Sequence, residues 1–289
     1  MDHSPHSRTS VAVSHPRRAA PAPGTPVPVA LVTGATSGIG LEFARALAAD
    51  GYHLVLVART LARLEETAEV LEDEYGVPVR VLTADLATES GIGTVTGFLD
   101  RERVDVVVNN AGYGLKSSVL RTDPVDLAAL DRVLNSAVQQ ISWHAAHRMV
   151  ERGRGGIVNV VSMAALTTMG AYAAAKSAAL VFTENLAAEL ADTPVTATAV
   201  LPGFVRTEFH DRMRVDMSTM PAIAWVAAHQ VAREGLADAR AGKAVSVPGL
   251  QYKLAYLLAQ AAPRPLLRGL SNGFRFRRRH RPVRPAGHS

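Results

Sequence analysis

A single α/β domain, built on one parallel sheet of about seven strands with helices on both faces, is the fold this chain predicts. Three observations carry it. Short apolar runs rich in β-branched residues alternate with longer helical stretches from end to end, the pattern of βαβ units whose strands are buried on both faces. The first run opens directly into a glycine cluster and then a helical pattern. With 48% hydrophobic residues over 289 positions, the chain has material for one large core.

The first strand is read at Val27–Val32, followed by Thr33-Gly34-Ala35-Thr36-Ser37-Gly38-Ile39-Gly40 and a helix over Leu41–Ala49. Later strands are expected at His53–Ala58, Val77–Ala84, Val104–Asn109, Gly156–Val161, Val195–Leu201 and Lys243–Val247. Right-handed crossovers between them give a doubly wound sheet. Two long helices are expected, Val125–Arg152 and Ala171–Ala191. Residues 1–26 are rich in Pro, Ser, His and Arg without apolar periodicity and read as a disordered extension. Residues 27–250 form the domain, and 251–289 a basic, partly apolar C-terminal extension.

Two motifs carry chemistry. Strand, glycine-rich turn and helix in succession is the context of a dinucleotide site. Glycines let the backbone approach a pyrophosphate, and the helix start offers unpaired N–H groups to the anion. The spacing here is Gly-x-x-x-Gly-x-Gly, at Gly34, Gly38 and Gly40. The second motif is Tyr172 and Lys176, four apart in an alanine-rich helical run and therefore on one helix face. A cation beside a phenol is expected to lower its pKa from about 10, suiting the phenol to exchange a proton with a carbonyl or alcohol.

With these motifs the chain resembles the short-chain dehydrogenase/reductase family from about Val27 to Val247, with a Rossmann-like sheet. Further motifs of the family follow in order at Asp85, Asn109-Asn110-Ala111-Gly112, Asn135, Ser162 and Pro202-Gly203. The resemblance implies Tyr172 as catalytic acid or base. Lys176 would tune the phenol and hold the nicotinamide ribose, Ser162 would hold the substrate oxygen, and Asn135 would organise a water chain. It implies cofactor contacts from Gly34, Thr36, Ser37, Gly38, Ile39, Gly40, Arg59, Asp85, Leu86, Asn109, Ala111, Gly112, Tyr172, Lys176, Pro202, Gly203 and Thr207. Ser162 lies ten residues before Tyr172, closer than is usual in the family, whereas Asn159 lies thirteen before it. Ser162 is preferred because it follows the strand, while Asn159 lies within it. The shorter spacing trims the loop Ala164–Gly170.

In NAD enzymes of this kind an acid ends the second strand and binds the ribose hydroxyls. Here the strand ends in Ala58-Arg59, and an arginine pairs with a 2′-phosphate, so NADP(H) is expected over NAD(H). The segment after Thr207 carries Phe209, Met213, Met217, Met220, Ile223 and Trp225, an adaptable apolar lid over the substrate. Val245–Lys253 and the basic end resemble actinobacterial-type reductases associated with long acyl chains. An NADPH-dependent reductase of a hydrophobic ketone is therefore expected, with a 3-oxoacyl lipid as a candidate substrate. The alternatives are a polyol or steroid-type alcohol dehydrogenase, and a non-catalytic NADP-binding regulator or scaffold. A polyol dehydrogenase would call for a more polar lid. A non-catalytic regulator or scaffold has no chemical need for the full set Asn135, Ser162, Tyr172 and Lys176.

Cysteine is absent, which removes disulfides and thiolate metal sites and suits a cytoplasmic protein. No metal site is expected, since only His144 and His147 among ten histidines share a helix face. Arg17-Arg18 is followed by no apolar export segment, and no uncharged apolar stretch is long enough to span a bilayer. Eight arginines lie between Arg264 and Arg284 with no acid after them; removing their charge from the net +5 leaves −3 for residues 1–263. Preceded by apolar Leu254–Ala259 and including Leu266–Leu270, that tail is read as a peripheral contact for an anionic membrane rather than a nucleic-acid site. A homodimer or homotetramer through the two long helices is also expected.

Overall fold

The computed structural model describes residues 26–115, 118–206, 221–263 and 265–266. Seven parallel strands form the sheet: β1 (Val29–Thr33), β2 (His53–Ala58), β3 (Val79–Thr83), β4 (Val106–Asn109), β5 (Gly155–Val160), β6 (Val195–Val200) and β9 (Val245–Ser246). Their order is β3-β2-β1-β4-β5-β6-β9. The direction of winding reverses at β1, which pairs with β2 on one side and β4 on the other; Ala30 stands opposite Leu54 and Val106. The crevice at the C-terminal ends of these strands is where such sheets take their ligands.

Alternating side chains of each strand feed two cores. On one face Leu31, Val107 and Ile157 pack with α3 (Glu89–Arg101) and α5 (Ala137–Arg152) through Ile92, Leu99, Ile141 and Met149. On the other, Ala30, Val32, Leu56 and Val158 meet Phe43 and Leu47 of α1 (Gly38–Ala49), Leu64 and Leu71 of α2 (Leu61–Tyr75), and Val231 and Leu236 of α7 (Ala228–Arg240). The largest of these side chains are fully enclosed, each worth about 1.5–3 kcal/mol against exposure.

All seven expected strands are present, with β1 and β5 displaced by one or two residues and β3, β4, β6 and β9 shorter than the apolar runs that announced them. The long helix expected over Val125–Arg152 is present, starting at Pro124, and is widened by a π segment within it. It consists of α4 (Pro124–Asp131), a wide π turn over Arg132–Ser136, and α5. The turn is closed by Ala137 N–H donating to the Arg132 carbonyl, a span of five residues. Helix α6 runs from Gly170 to Glu189. A two-residue pair, β7 (Phe204–Val205) and β8 (Trp225–Val226), lies outside the main sheet, and α8 (Leu250–Ala261) closes the described chain.

Candidate active site

The glycine loop joins β1 to α1 beneath the end of β4. Gly34 and Gly38 have φ of 64° and 58°, left-handed conformations that glycine adopts without strain. A Cβ at Gly34 would come within 2.8 Å of the Ala111 Cα. The Asn110 amide holds the two loops together, donating to the carbonyls of Thr33 (3.1 Å) and Gly34 (3.2 Å), while Thr33 Oγ1 accepts from the backbone N–H groups of Asn110 and Ala111. Ser37, the residue that starts α1, makes no side-chain capping bond. The first amides of α1 are therefore left to an anion, with Thr36, Ser37 and Ile39 half-buried around them. This cradle fits a dinucleotide pyrophosphate. Asn110 was not nominated from sequence, although its place in the motif after β4 was a usable signal.

Arg59 follows β2, is exposed, and makes no hydrogen bond or ion pair among the described residues. It shares its neighbourhood with Asp85: both charges act on the Tyr113 phenol, whose pKa is raised chiefly by burial. Asp85 Oδ1 accepts from Ala87 N–H at 3.0 Å, shaping the turn into α3. Leu86, expected beside an adenine, is 6% exposed and packs into the core. Asn109 is the last residue of β4. Its amide points inward, donating to Ser142 Oγ (3.1 Å) and Asn159 Oδ1 (2.9 Å). Asn159 in turn donates to Thr183 Oγ1 (2.9 Å). These four buried polar residues tie β4, α5, β5 and α6 together below the site. Asn159 is thereby engaged in the core.

Ser162 caps the 3-10 turn Met163–Leu166, accepting from Ala164 N–H at 3.1 Å. It also hydrogen-bonds the Tyr172 hydroxyl. Tyr172 lies in the first turn of α6, half-buried as a residue, with its hydroxyl in the enclosed part of the cleft. Lys176, one turn on, is 4% exposed and donates from Nζ to the Val160 carbonyl at 2.6 Å. A Cβ at Gly112 would lie 4.0 Å from that Nζ, so the segment after β4 closes on the lysine from the other side. The expected lowering of the phenol by Lys176 is not what the geometry gives. Burial pushes Tyr172 up to about 12, only partly offset by the Ser162 bond, and burial pulls Lys176 down to about 8. Low polarity favours the neutral form of each.

Asn135 sits in the π turn. Its amide donates to Asp131 Oδ1 at 3.3 Å and its oxygen accepts from Gln139 Nε2 at 2.8 Å. These bonds run along its own helix rather than to Lys176, although α6 packs against the turn. Pro202 is buried and its carbonyl accepts from Met163 N–H at 3.0 Å, joining the β6 end to the Ser162 turn. Gly203 lies under the ring of Tyr252. The Tyr252 hydroxyl accepts from Phe204 N–H (3.0 Å) and donates to the Ala224 carbonyl (2.6 Å), a clamp that sequence reading missed. Thr207 and most of the expected lid lie outside the described residues. Of the lid's later members, Ile223 is exposed, and Trp225 pairs with Phe204 and carries Arg206 over its ring.

A short-chain dehydrogenase family model matches residues 28–218, and the chain belongs to that family of oxidoreductases. It is 33% identical over 185 residues to the 2,3-dihydro-2,3-dihydroxybenzoate dehydrogenase of Bacillus subtilis, covering 62% of this chain and 70% of that one. It is 30% identical over 185 residues to the 3-oxoacyl-(acyl-carrier-protein) reductase of Aquifex aeolicus, covering 62% and 75%. Among solved structures, a short-chain dehydrogenase from Sphingobium yanoikuyae in complex with NADPH matches with a TM-score of 0.76 and 28% identity, covering 89% of this chain and 99% of that one.

Proposed function

We propose that this enzyme reduces a hydrophobic ketone of the 3-oxoacyl class to the secondary alcohol with NADPH, Tyr172 donating the proton. The observation that carries this reading is the Ser162–Tyr172 hydrogen bond, with the phenol kept protonated by burial. Bound NADPH supplies the hydride. The chain's own residues then have a limited task. Ser162 holds the carbonyl oxygen next to the phenol, and Tyr172 releases its proton as negative charge develops on that oxygen. Lys176 is anchored by Val160 and, when charged, keeps two further N–H donors for the ribose and the phenol. Asn135 acts from the widened turn, helping water return a proton to the site. Arg59 takes the 2′-phosphate, because it is exposed and has no acidic partner among the described residues. The similarity to a 3-oxoacyl reductase and the Phe204–Trp225 pair beside the cleft support an apolar substrate. The lack of cysteine supports a cytoplasmic site of action.

The test is a screen of ketones of increasing acyl chain length, followed by NADPH absorbance, on the parent enzyme and on Tyr172→Phe. The variant keeps the ring and loses the donor. Turnover is expected to fall by about 10²- to 10⁴-fold while NADPH affinity stays within a few-fold. Retained turnover would remove Tyr172 from the chemistry. A preference for polyols over ketones would overturn the substrate class.

A further inference from the structure

We propose that α8 is a docking helix for an anionic lipid surface. The helix is arranged with its aromatic residues inward and its leucines outward. Tyr252 and Tyr256 pack against the cluster that contains Val161, Ala165, Leu201 and Val247. Leu250, Leu254, Leu257 and Leu258 are 81%, 60%, 62% and 63% exposed. At 3.6 residues per turn these leucines share one arc of about 100°, opposite the tyrosines. Four leucines on one outward arc of an anchored helix form a surface that water does not favour.

Charge selects the occupant. No acid follows Asp238 in the sequence. The nearby cations of the fold are already paired: Arg240 with Asp50, Lys243 with Asp238 at 2.6 Å, and Lys253 with Glu234 at 3.1 Å. The eight arginines from Arg264 to Arg284, which lie outside the described residues, have no acid within their own segment. Outward leucines followed in the sequence by a run of cations match a bilayer that presents apolar depth under anionic headgroups.

The helix is also placed to matter for the site. Through Tyr252 it covers Gly203, holds Phe204 and reaches Ala224, so the helix that would meet the bilayer is tied to the segment that follows β6. That an apolar ketone enters from the bilayer rests on the function proposed above; docking itself does not.

Flotation of the full-length protein with vesicles of equimolar phosphatidylglycerol and phosphatidylcholine, and with phosphatidylcholine alone, tests the proposal. Binding is expected on the anionic vesicles only, weakened by high salt. The pair Leu254→Gln with Leu258→Gln is expected to weaken it by about tenfold or more, with thermal stability and turnover of a short soluble ketone unchanged. Removing residues 267–289 should weaken it as well, which keeps the test informative if the leucine pair proves unstable. Indifference of the parent protein to anionic vesicles would overturn the proposal, as would equal binding by the glutamine pair. A change in solution mass of that pair without lipid would assign the stripe to a subunit contact and overturn it too. Flotation needs no turnover, so docking and the substrate assignment fail separately.

Discussion

Burial sets the protonation of Tyr172 and Lys176 before any cofactor or substrate arrives. A phenol near 12 is protonated throughout the physiological range, the form a reductase needs. Lys176 pushed down to about 8 has a consequence for stability. Its folded-state pKa lies below the ordinary value of 10.5, so between these values the unfolded chain binds a proton that the folded chain does not. Stability therefore rises with pH across that window, and the cost of burying the charge is fully felt below about pH 8. Lys176→Met removes the dependence. Its stability advantage over the parent should shrink by a few kcal/mol, on the order of 3, between pH 7 and 10. Urea unfolding at several pH values checks this, and a difference that does not change with pH would contradict it. Measurements should stop near pH 10, because Tyr172 acts in the opposite sense above that: the unfolded phenol ionises while the folded one keeps its proton. Arg59 gives a second residue-scale prediction. Losing charge-assisted hydrogen bonds of about 1.5–3 kcal/mol, Arg59→Asp should move the NADPH to NADH ratio of kcat/KM towards NADH by about 10- to 100-fold. An unmoved ratio would show that another residue reads the phosphate.

Among the elements, the strands were legible because each is a run of apolar, mostly β-branched residues; His53–Ala58 was placed to the residue. Strand ends were less so, since an apolar run continues past the last ladder bond, as at Val77 and Pro78 before β3. The π turn at Arg132–Ser136 left no trace in the sequence. Arg-Val-Leu-Asn-Ser contains no glycine or proline, and the extra residue is accommodated only because α6 and the core fix both flanks. The β7–β8 pair is two residues long on each side, too short for any alternation to show. The glycine loop and the Tyr172–Lys176 spacing were readable as local patterns. The inward turn of Asn109 and Leu86 was not, because side-chain direction at a strand end depends on which helix covers it. Tyr252 was invisible for a related reason: its partners, Gly203, Phe204 and Ala224, are distant in sequence and meet only once α8 is packed.

For the molecule as a whole, the faces of α5 and α6 that point away from the sheet argue for self-association. Trp143, His147 and Val150 are exposed at helical spacing on α5, and Ala174, Ala178 and Val181 on α6. Trp143 lies against His147 with ring centroids 4.0 Å apart, and His144 is held by Asp100 at 3.0 Å. The ring is thus held by its neighbours while half its surface faces solvent. Together with His144, Gln139, Gln140 and Phe182, it lines a hollow of about 250 Å³. Small residues on α6 let a partner's backbone come close, and an aromatic side chain beside a hollow is the kind of pair on which interfaces concentrate their energy. We expect light scattering at micromolar concentration to give a multiple of the 30.7 kDa chain mass. Trp143→Glu with Val181→Asp would place charges in an apolar contact and should return the protein to one chain mass while leaving the core, and hence the unfolding of the separated subunit, intact. A parent protein that already scatters as one chain would show that this face is solvated. A charged pair that leaves the assembled mass unchanged would move the interface elsewhere on the fold.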